Sequence, residues 1–353
     1  MPSRSVVNVP RFLNADVDER LLSAEEMPDA LNVRGIGGDE GRSSILKNVK
    51  GNTLKSYTLP DGDNTVVGAV SMEETNSLYY FVSNTSGDHL ILQYNSVTDT
   101  ITKVLQDNIL AFTPNNIVQG RAILLENGDT LLYFTDNLNP VRKINVRKAI
   151  LHEQGDADGY PSPLTEEFIE VLKYPPVNKP DFAFDTEDGR AVNNVGGKMF
   201  QFSYRYIYDD GEVSVFSPYS DVAISDYYLQ NSVYTSSQIE SNNNVIDITL
   251  ENGSKICTHI EVIFREGNDG EWKAARRIPN RPDQATQTFR FDNNGNYSVV
   301  SNVFTNKLFD NVPVRAKAID IIGNRLMLGN YLDGYGNVDD VATSDQITIT
   351  PRY

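Results

Sequence analysis

The stretch MFQFSYRYIY, from Met199 to Tyr208, constrains this chain more than any other. Phe200, Phe202, Tyr204, Tyr206 and Tyr208 fall on alternate positions, the period of an extended strand with one aromatic face. Asp210-Gly211 follows as a tight-turn signal, and Val213 and Val215 begin a second extended run, so a β-hairpin is expected here. Five rings on one face call for a second layer to cover them, and they are expected to fill the core of a sandwich. Gln201, Ser203 and Arg205 would then face outward, where a neighbouring subunit could dock.

The same period recurs along the chain. Residues 51–150 contain TVVGAVSM, NSLYYFVSN, HLILQYNS and TITKVLQ, then RAILLE, DTLLYFTD and PVRKINV, with Asn127-Gly128 as the turn between RAILLE and DTLLYFTD. Short strands at this spacing predict antiparallel meanders, and the loose similarity of the two groups favours β-propeller-like blades. Residues 151–198 are rich in Pro and acids and read as a connector, with two helical turns in PLTEEFIEVL and extended chain around Pro175, Pro176 and Pro180. Residues 199–312 hold the aromatic hairpin, NVIDITLENG, HIEVIFR and EWKAARRI flanking residues 267–270, TQTFRF and NYSVVS. That strand count fits an immunoglobulin-like sandwich, and without the Cys-Trp-Cys set a fibronectin-type variant fits better. Residues 313–353 return to the first module through two strands around Gly323-Asn324, which makes the sandwich an insertion. Residues 1–50 read as an irregular N-terminal arm. One short helix is expected there, started by the capping-box spacing of Ser23 and Glu26 and limited by Pro28, with VRGIGGDEGRSS as loop.

The expected fold class is therefore all-β: partial propeller blades with an inserted immunoglobulin/fibronectin-like sandwich. Two blades and a hairpin cannot close a propeller, which needs at least about four blades. Open edges are an aggregation hazard. The rest of the ring is expected from another chain, or from a longer or cleaved polypeptide of which this is the N-terminal part.

Composition narrows the function. Across 353 residues, 31 Lys and Arg face 48 Asp and Glu, a formal charge of -17. Such a surface repels phosphate backbones, which argues against general nucleic-acid binding. The one cysteine, Cys257, cannot form an internal disulfide or a structural zinc site and reads as a buried small apolar residue. No run approaches the roughly 18 apolar residues that span a bilayer, and the opening MPSRSVVNVPRFL has no signal-peptide core.

Specific chemistry finds little support. Gly35-Ile36-Gly37-Gly38 lacks the strand, helix and Gly-Lys-Ser/Thr of a phosphate loop. His89, His152 and His259 lie in different segments without metal-ligand spacing, and His259 with Glu261 reads as one solvated strand face. No Gly-x-Ser-x-Gly elbow occurs. The DADG at 156–159 and DNNGN at 292–296 lack the Gly and Glu positions of a calcium loop and read as turns. One weak calcium site at Asp292, Asn294 and Asn296 stays open. The Asp269-to-Trp272 stretch is too short for a sialidase-type Asp box, and with 48 acids the spacing of carboxylates discriminates nothing. No catalytic, cofactor-binding or metal residue is assigned, no cofactor is expected, and the chain reads as a non-enzyme. The alternative is a carbohydrate- or receptor-binding β module, using exposed tyrosines.

RFLNADVDERLLSAEEMPDALNVRGIGGDEGRSSILKNVKGNTL, residues 11–54, resembles the opening of tail proteins from short-tailed bacteriophages. FQFSYRYIYDDGEVSVFSPYS and IDIIGNRLMLGNYLDGY are similar to later landmarks of the same family. That family comprises tail nozzle, muzzle and tail-stabilisation β-propeller proteins, including those of crAss-like phages. The resemblance implies a structural protein of the virion tail, made in the host cytoplasm and assembled as a ring below the portal. Its implied partners are further copies of itself, the portal, adaptor and other tail proteins, the remainder of its own polypeptide where that is cleaved, and genomic DNA that passes through without specific binding. Family members are usually longer than this chain, in line with the incomplete blade count.

Overall fold

The computed structural model of the chain describes residues 12–23, 26–29, 32–36, 45–49, 51, 53–224, 243–307, 309–310, 312–323 and 325–333. These fall into two compact units that divide at Thr58 and Leu59.

The first unit is not irregular throughout. β1 (Phe12–Leu13) pairs in parallel with β2 (Glu26–Met27), and β3 (Val33–Ile36) pairs antiparallel with β4 (Ile45–Asn48). The helix expected after Ser23 is absent among the described residues. Glu26 does accept from the Ser23 amide at 3.2 Å, as a capping box requires. Extended backbone at Met27 wins, because the residue before a proline is pushed out of the helical region by Pro28. Val33–Ile36 is a strand where loop is expected; Gly37 and Gly38 lie outside the described residues.

The second unit begins with β5 (Asn64–Met72), β6 (Ser77–Asn84), β7 (Leu90–Asn95) and β8 (Thr100–Gln106), a four-stranded antiparallel meander in chain order. Next come β9 (Gln119–Leu124), β10 (Thr130–Thr135) and β11 (Arg142–Asn145), a second antiparallel sheet whose β9–β10 turn lies at Asn127-Gly128 as the sequence predicts. The two sheets meet where the Val118 amide donates to the Val67 carbonyl at 2.8 Å. Gly68 permits this approach, since a Cβ there would lie 2.3 Å from the Val118 carbonyl oxygen.

Two helices follow. α1 (Val146–Glu153) is capped by Asn145, whose side chain accepts from the Lys148 amide, and buries Val146 and Ala149. α2 (Glu166–Ile169) is one turn rather than two. The Pro-rich stretch also supplies β12 (Asp181–Asp185), so part of the expected connector is sheet.

β13 (Met199–Tyr208), β14 (Ala223–Ile224), β15 (Val245–Glu251), β16 (Cys257–Glu266), β17 (Lys273–Pro279), β18 (Thr286–Phe291) and β19 (Ser298–Val299) complete two further sheets, ordered β12-β15-β18 and β14-β13-β16-β17-β19. They pack through aromatic rings. Phe291 of β18 lies 5.3, 5.2 and 4.7 Å from Phe200, Phe202 and Phe264, measured between ring centroids. Phe200, Phe202, Tyr204 and Tyr208 are all at most 1% exposed, so the alternate rings form core as expected. One connected cluster of buried apolar side chains runs from Val67 to Phe291. The chain then forms α3 (Asn302–Thr305), β20 (Arg315–Ile322) and β21 (Arg325–Leu332). Ala316 and Ile319 of β20 pack on Val141, and Thr135 Oγ1 donates to the Ala316 carbonyl at 2.6 Å.

The run returning from the Asp210-Gly211 turn is not a period-two strand. Its contact with β13 has a period of three, set by Ser214, Ser217 and Ser220. Their amides donate to the carbonyls of Tyr206, Tyr204 and Phe202 at 3.0, 2.8 and 2.8 Å. Their hydroxyls accept from the amides of the same three residues at 3.0, 3.2 and 2.9 Å. Each hydroxyl also donates to the carbonyl of its own following residue. Three residues thus lie against two of β13, a bulge repeated at every step, with serine oxygens standing in for backbone acceptors. Ser217→Ala is expected to destabilise the protein by about 2 kcal/mol, because it leaves the buried Tyr204 amide unpaired. Urea unfolding measures this, and a loss below about 0.5 kcal/mol would contradict the assignment.

Candidate functional site

The tip of the β13 hairpin inserts among basic side chains. Lys143 on β11 places Nζ 2.8 Å from Asp210 Oδ2 and 3.0 Å from Glu212 Oε1. Lys173, just beyond α2, reaches the same Asp210 oxygen at 2.8 Å and lies 4.7 Å from the Tyr208 ring centroid. Lys148 on α1 holds Asp209 at 2.5 Å. Beside them Asp129 accepts from Arg147 Nε at 2.7 Å and from Asn145 Nδ2 at 2.9 Å. The side chains of Lys143 and Lys173 are only 8% and 6% exposed, so these charges act in a weakly screened setting. Burial alone would raise the Asp210 carboxyl; Lys143 and then Lys173 outweigh it and hold the pKa down at about 2. These groups line a cleft of 390 Å³. The four cations and four carboxylates named here all pair with one another. The arrangement is a clamp, and it offers no idle base or nucleophile.

The sequence signal for this clamp was the charge pattern. Arg142, Lys143, Arg147 and Lys148 form a cation run without acids, in a chain of formal charge -17, and Asp209-Asp210-Gly211-Glu212 is an acidic turn. Opposite runs this dense in one chain are natural partners.

A second ionic group overturns the outward face expected on β13. Ser203 is fully buried and Arg205 is 9% exposed. Ser203 Oγ donates to the Ser217 carbonyl at 2.9 Å, and Gln201 Nε2 to the Ser220 carbonyl at 2.8 Å. Arg205 lies 2.5 Å from Glu261, with its guanidinium 4.6 Å from the Phe216 ring centroid and 5.5 Å from that of Phe304. Glu261 also receives Arg277 at 2.9 Å and is 5% exposed, so it is not solvated as expected beside the exposed His259. Phe216 and Phe304 of the chain itself lie over Arg205, so its guanidinium does not face outward.

The remaining candidates are placed as follows. His89 is buried against Phe112 and its Nδ1 accepts from the Asn84 amide at 3.1 Å; burial, then Arg142, push its pKa down and keep it neutral. His152 Nδ1 lies 2.7 Å from the Tyr160 carbonyl oxygen. Cys257 is buried, and burial pushes its thiol up to about 11, so it carries little thiolate at neutral pH. Asp292 is held by Arg190 at 2.7 Å, and its other oxygen accepts from the Asn294 amide, a turn contact. Among the described residues no group of three or more His, Cys, Asp or Glu could hold a metal ion. Trp272 is buried 4.7 Å from Tyr219, measured between rings, with Arg265 on it at 5.1 Å. Tyr204, Tyr206 and Tyr208 are buried and present no platform to a sugar. No helix among the described residues is long and apolar enough to cross a membrane.

No curated protein matches the chain. The family model described as the crassvirus muzzle protein matches it over residues 4–342. The match spans both compact units, the clamp, the serine-bearing segment and the β20–β21 hairpin. This chain belongs to the crassvirus muzzle protein family.

Proposed function

We propose that this chain is a building part of the phage tail, assembled as copies in a ring below the portal that forms part of the conduit for DNA ejection. The observation that carries the reading is the muzzle-family match over residues 4–342. A structural role in the virion follows from that membership. The position in the tail, the ring and the conduit are the proposal.

The architecture supports it. We read the β5–β8 sheet, the β9–β11 sheet and the β20–β21 hairpin as blades of a propeller-type module, because the chain leaves this group after β11 and returns to it at Ala316 and Ile319. The two sheets between them are read as an inserted immunoglobulin/fibronectin-like sandwich. The clamp fixes the tip of that insertion to β11. A rigid joint suits a part that must hold shape under load. The formal charge of -17 offers a passing polyanion no general set of ion pairs, so DNA would transit without being gripped.

The test is to locate the chain in purified particles. Peptide mass spectrometry should find it there, and particle images should place it in a symmetric ring beneath the portal. Particles that lack it would sink the reading.

A further inference from the structure

The β20–β21 hairpin presents a long open edge. Among the described residues β21 pairs with β20 alone. Of its eight residues Arg325, Met327, Asn330, Tyr331 and Leu332 are exposed, with Met327 at 50% and Tyr331 at 54%; Ile322, across the turn, is 62% exposed. An edge strand in a lone molecule is usually blunted by several charges, a proline or a bulge. β21 carries one charge and no proline. Around it sit Arg315, Lys317 and Arg325, exposed and without an ion pair among the described residues. Arg315 and Lys317 lie towards one end of the hairpin and Arg325 at the other, and in a chain of formal charge -17 they give this surface positive charge that an acidic surface can meet.

A complementary edge exists on the same molecule. Among the described residues β12 pairs with β15 alone, and its exposed face carries Asp181, Ala183 and Asp185. Asp188 follows and is exposed. Asp185 shares Arg290 with Asp247, whereas Asp181 and Asp188 have no ion pair among the described residues. Two acidic copies repel over most of their surfaces, so they can meet only where one shows positive charge to the other's negative charge. We propose that β21 of one copy adds as a strand to the β12 edge of a second copy, with Arg315, Lys317 and Arg325 set against Asp181, Asp185 and Asp188. Backbone groups of both edges gain partners, and Met327 and Tyr331 leave water. The two surfaces differ, so each copy keeps one of each free and the contact can be repeated around a closed ring. This rests on the reading that copies assemble side by side, and names the surface by which they do so.

Sedimentation of the full chain over a concentration series tests it. Wild type should self-associate, less so at high salt. Lys317→Glu with Arg325→Glu, or Asp181→Lys with Asp188→Lys, should each weaken association by about tenfold or more, and the chain carrying all four changes should recover to within about threefold. An equimolar mixture of the two single-surface variants should associate as wild type does, because the altered β21 of one meets the altered β12 of the other and their two unaltered edges also carry opposite charges. All sites are exposed, so unfolding midpoints should match wild type. A cysteine pair, Ala183→Cys and Met327→Cys, should link copies to one another; Cys257 is buried and should not compete. A monomeric wild type, reversals without effect, losses that the combined chain does not recover, or cross-links from β21 to residues 334–353 of its own chain would each overturn the proposal. Particles that hold the chain in a ring while the reversals assemble normally would refute this contact alone. Particles without the chain would refute the structural role instead.

Discussion

Phe291→Ala is expected to lower the unfolding free energy by about 4 kcal/mol, near the upper end for a single truncation. The ring is 1% exposed and sits between sheets, within 5.3 Å of Phe200, Phe202 and Phe264 and 6.2 Å of Tyr297 by centroid distance. Removing it forfeits both the transfer of a large apolar side chain and its contacts with four rings, edge-to-face on Phe200 and Phe202 and tilted on Phe264 and Tyr297. The cavity would sit between two sheets already stiffened by their ladders, so collapse can recover little of the loss. Phe291→Leu keeps more of the volume and should cost about 1–2 kcal/mol. Guanidinium unfolding of the three proteins, compared at equal slope, checks the order. An alanine variant that loses less than about 1 kcal/mol would mean that the sheets do not meet through this ring.

Asp210→Asn should cost about 3 kcal/mol, because it strands two nearly buried ammonium groups with only the half-exposed Glu212 to compensate them. Replacing the cluster together, with Lys143→Met, Lys173→Met and Asp210→Leu, should recover much of that loss, since the charge then left without its lysines is Glu212, which is half-exposed to water. The same group sets an acid limit. Asp210 has a folded pKa of about 2, below its ordinary 3.8, so its contribution is complete above about pH 4 and vanishes as pH falls towards 2. In the Asn variant the fall in stability over that interval should be shallower. Equal slopes in the two proteins would show that Asp210 is not held by the lysines.

The parts of this fold that could be read in advance were those whose side chains alternate. Phe200 to Tyr208 announce a buried strand, and the hairpins at Asn127-Gly128 and across residues 267–270 announce themselves by turn chemistry. The returning run could not be read as period two, because its acceptors are serine hydroxyls rather than main-chain carbonyls. The signal present was Ser214, Ser217 and Ser220 at intervals of three. α1 was legible as well, from the Asn145 cap and the buried Val146 and Ala149. The module boundary expected at residue 150 falls within this helix. β12 hid among prolines and acids, since its own pattern of Asp181, Phe182, Ala183, Phe184 and Asp185 is too short to stand out. Glu261 was misplaced because alternation tells which face a residue shares and not whether cations already occupy it. The clamp's pairs to the hairpin tip join residues 37 to 69 positions apart, and distance in the chain conceals them.

The segment from Ser214 to Ser220 works like a vernier, two scales of unequal pitch read against each other. Its marks coincide only if the count between them is kept. Deleting Pro218 would carry Ser220 out of reach of Phe202 while every buried ring stayed in place. Related chains should therefore drift in composition between these marks and yet show no gap there.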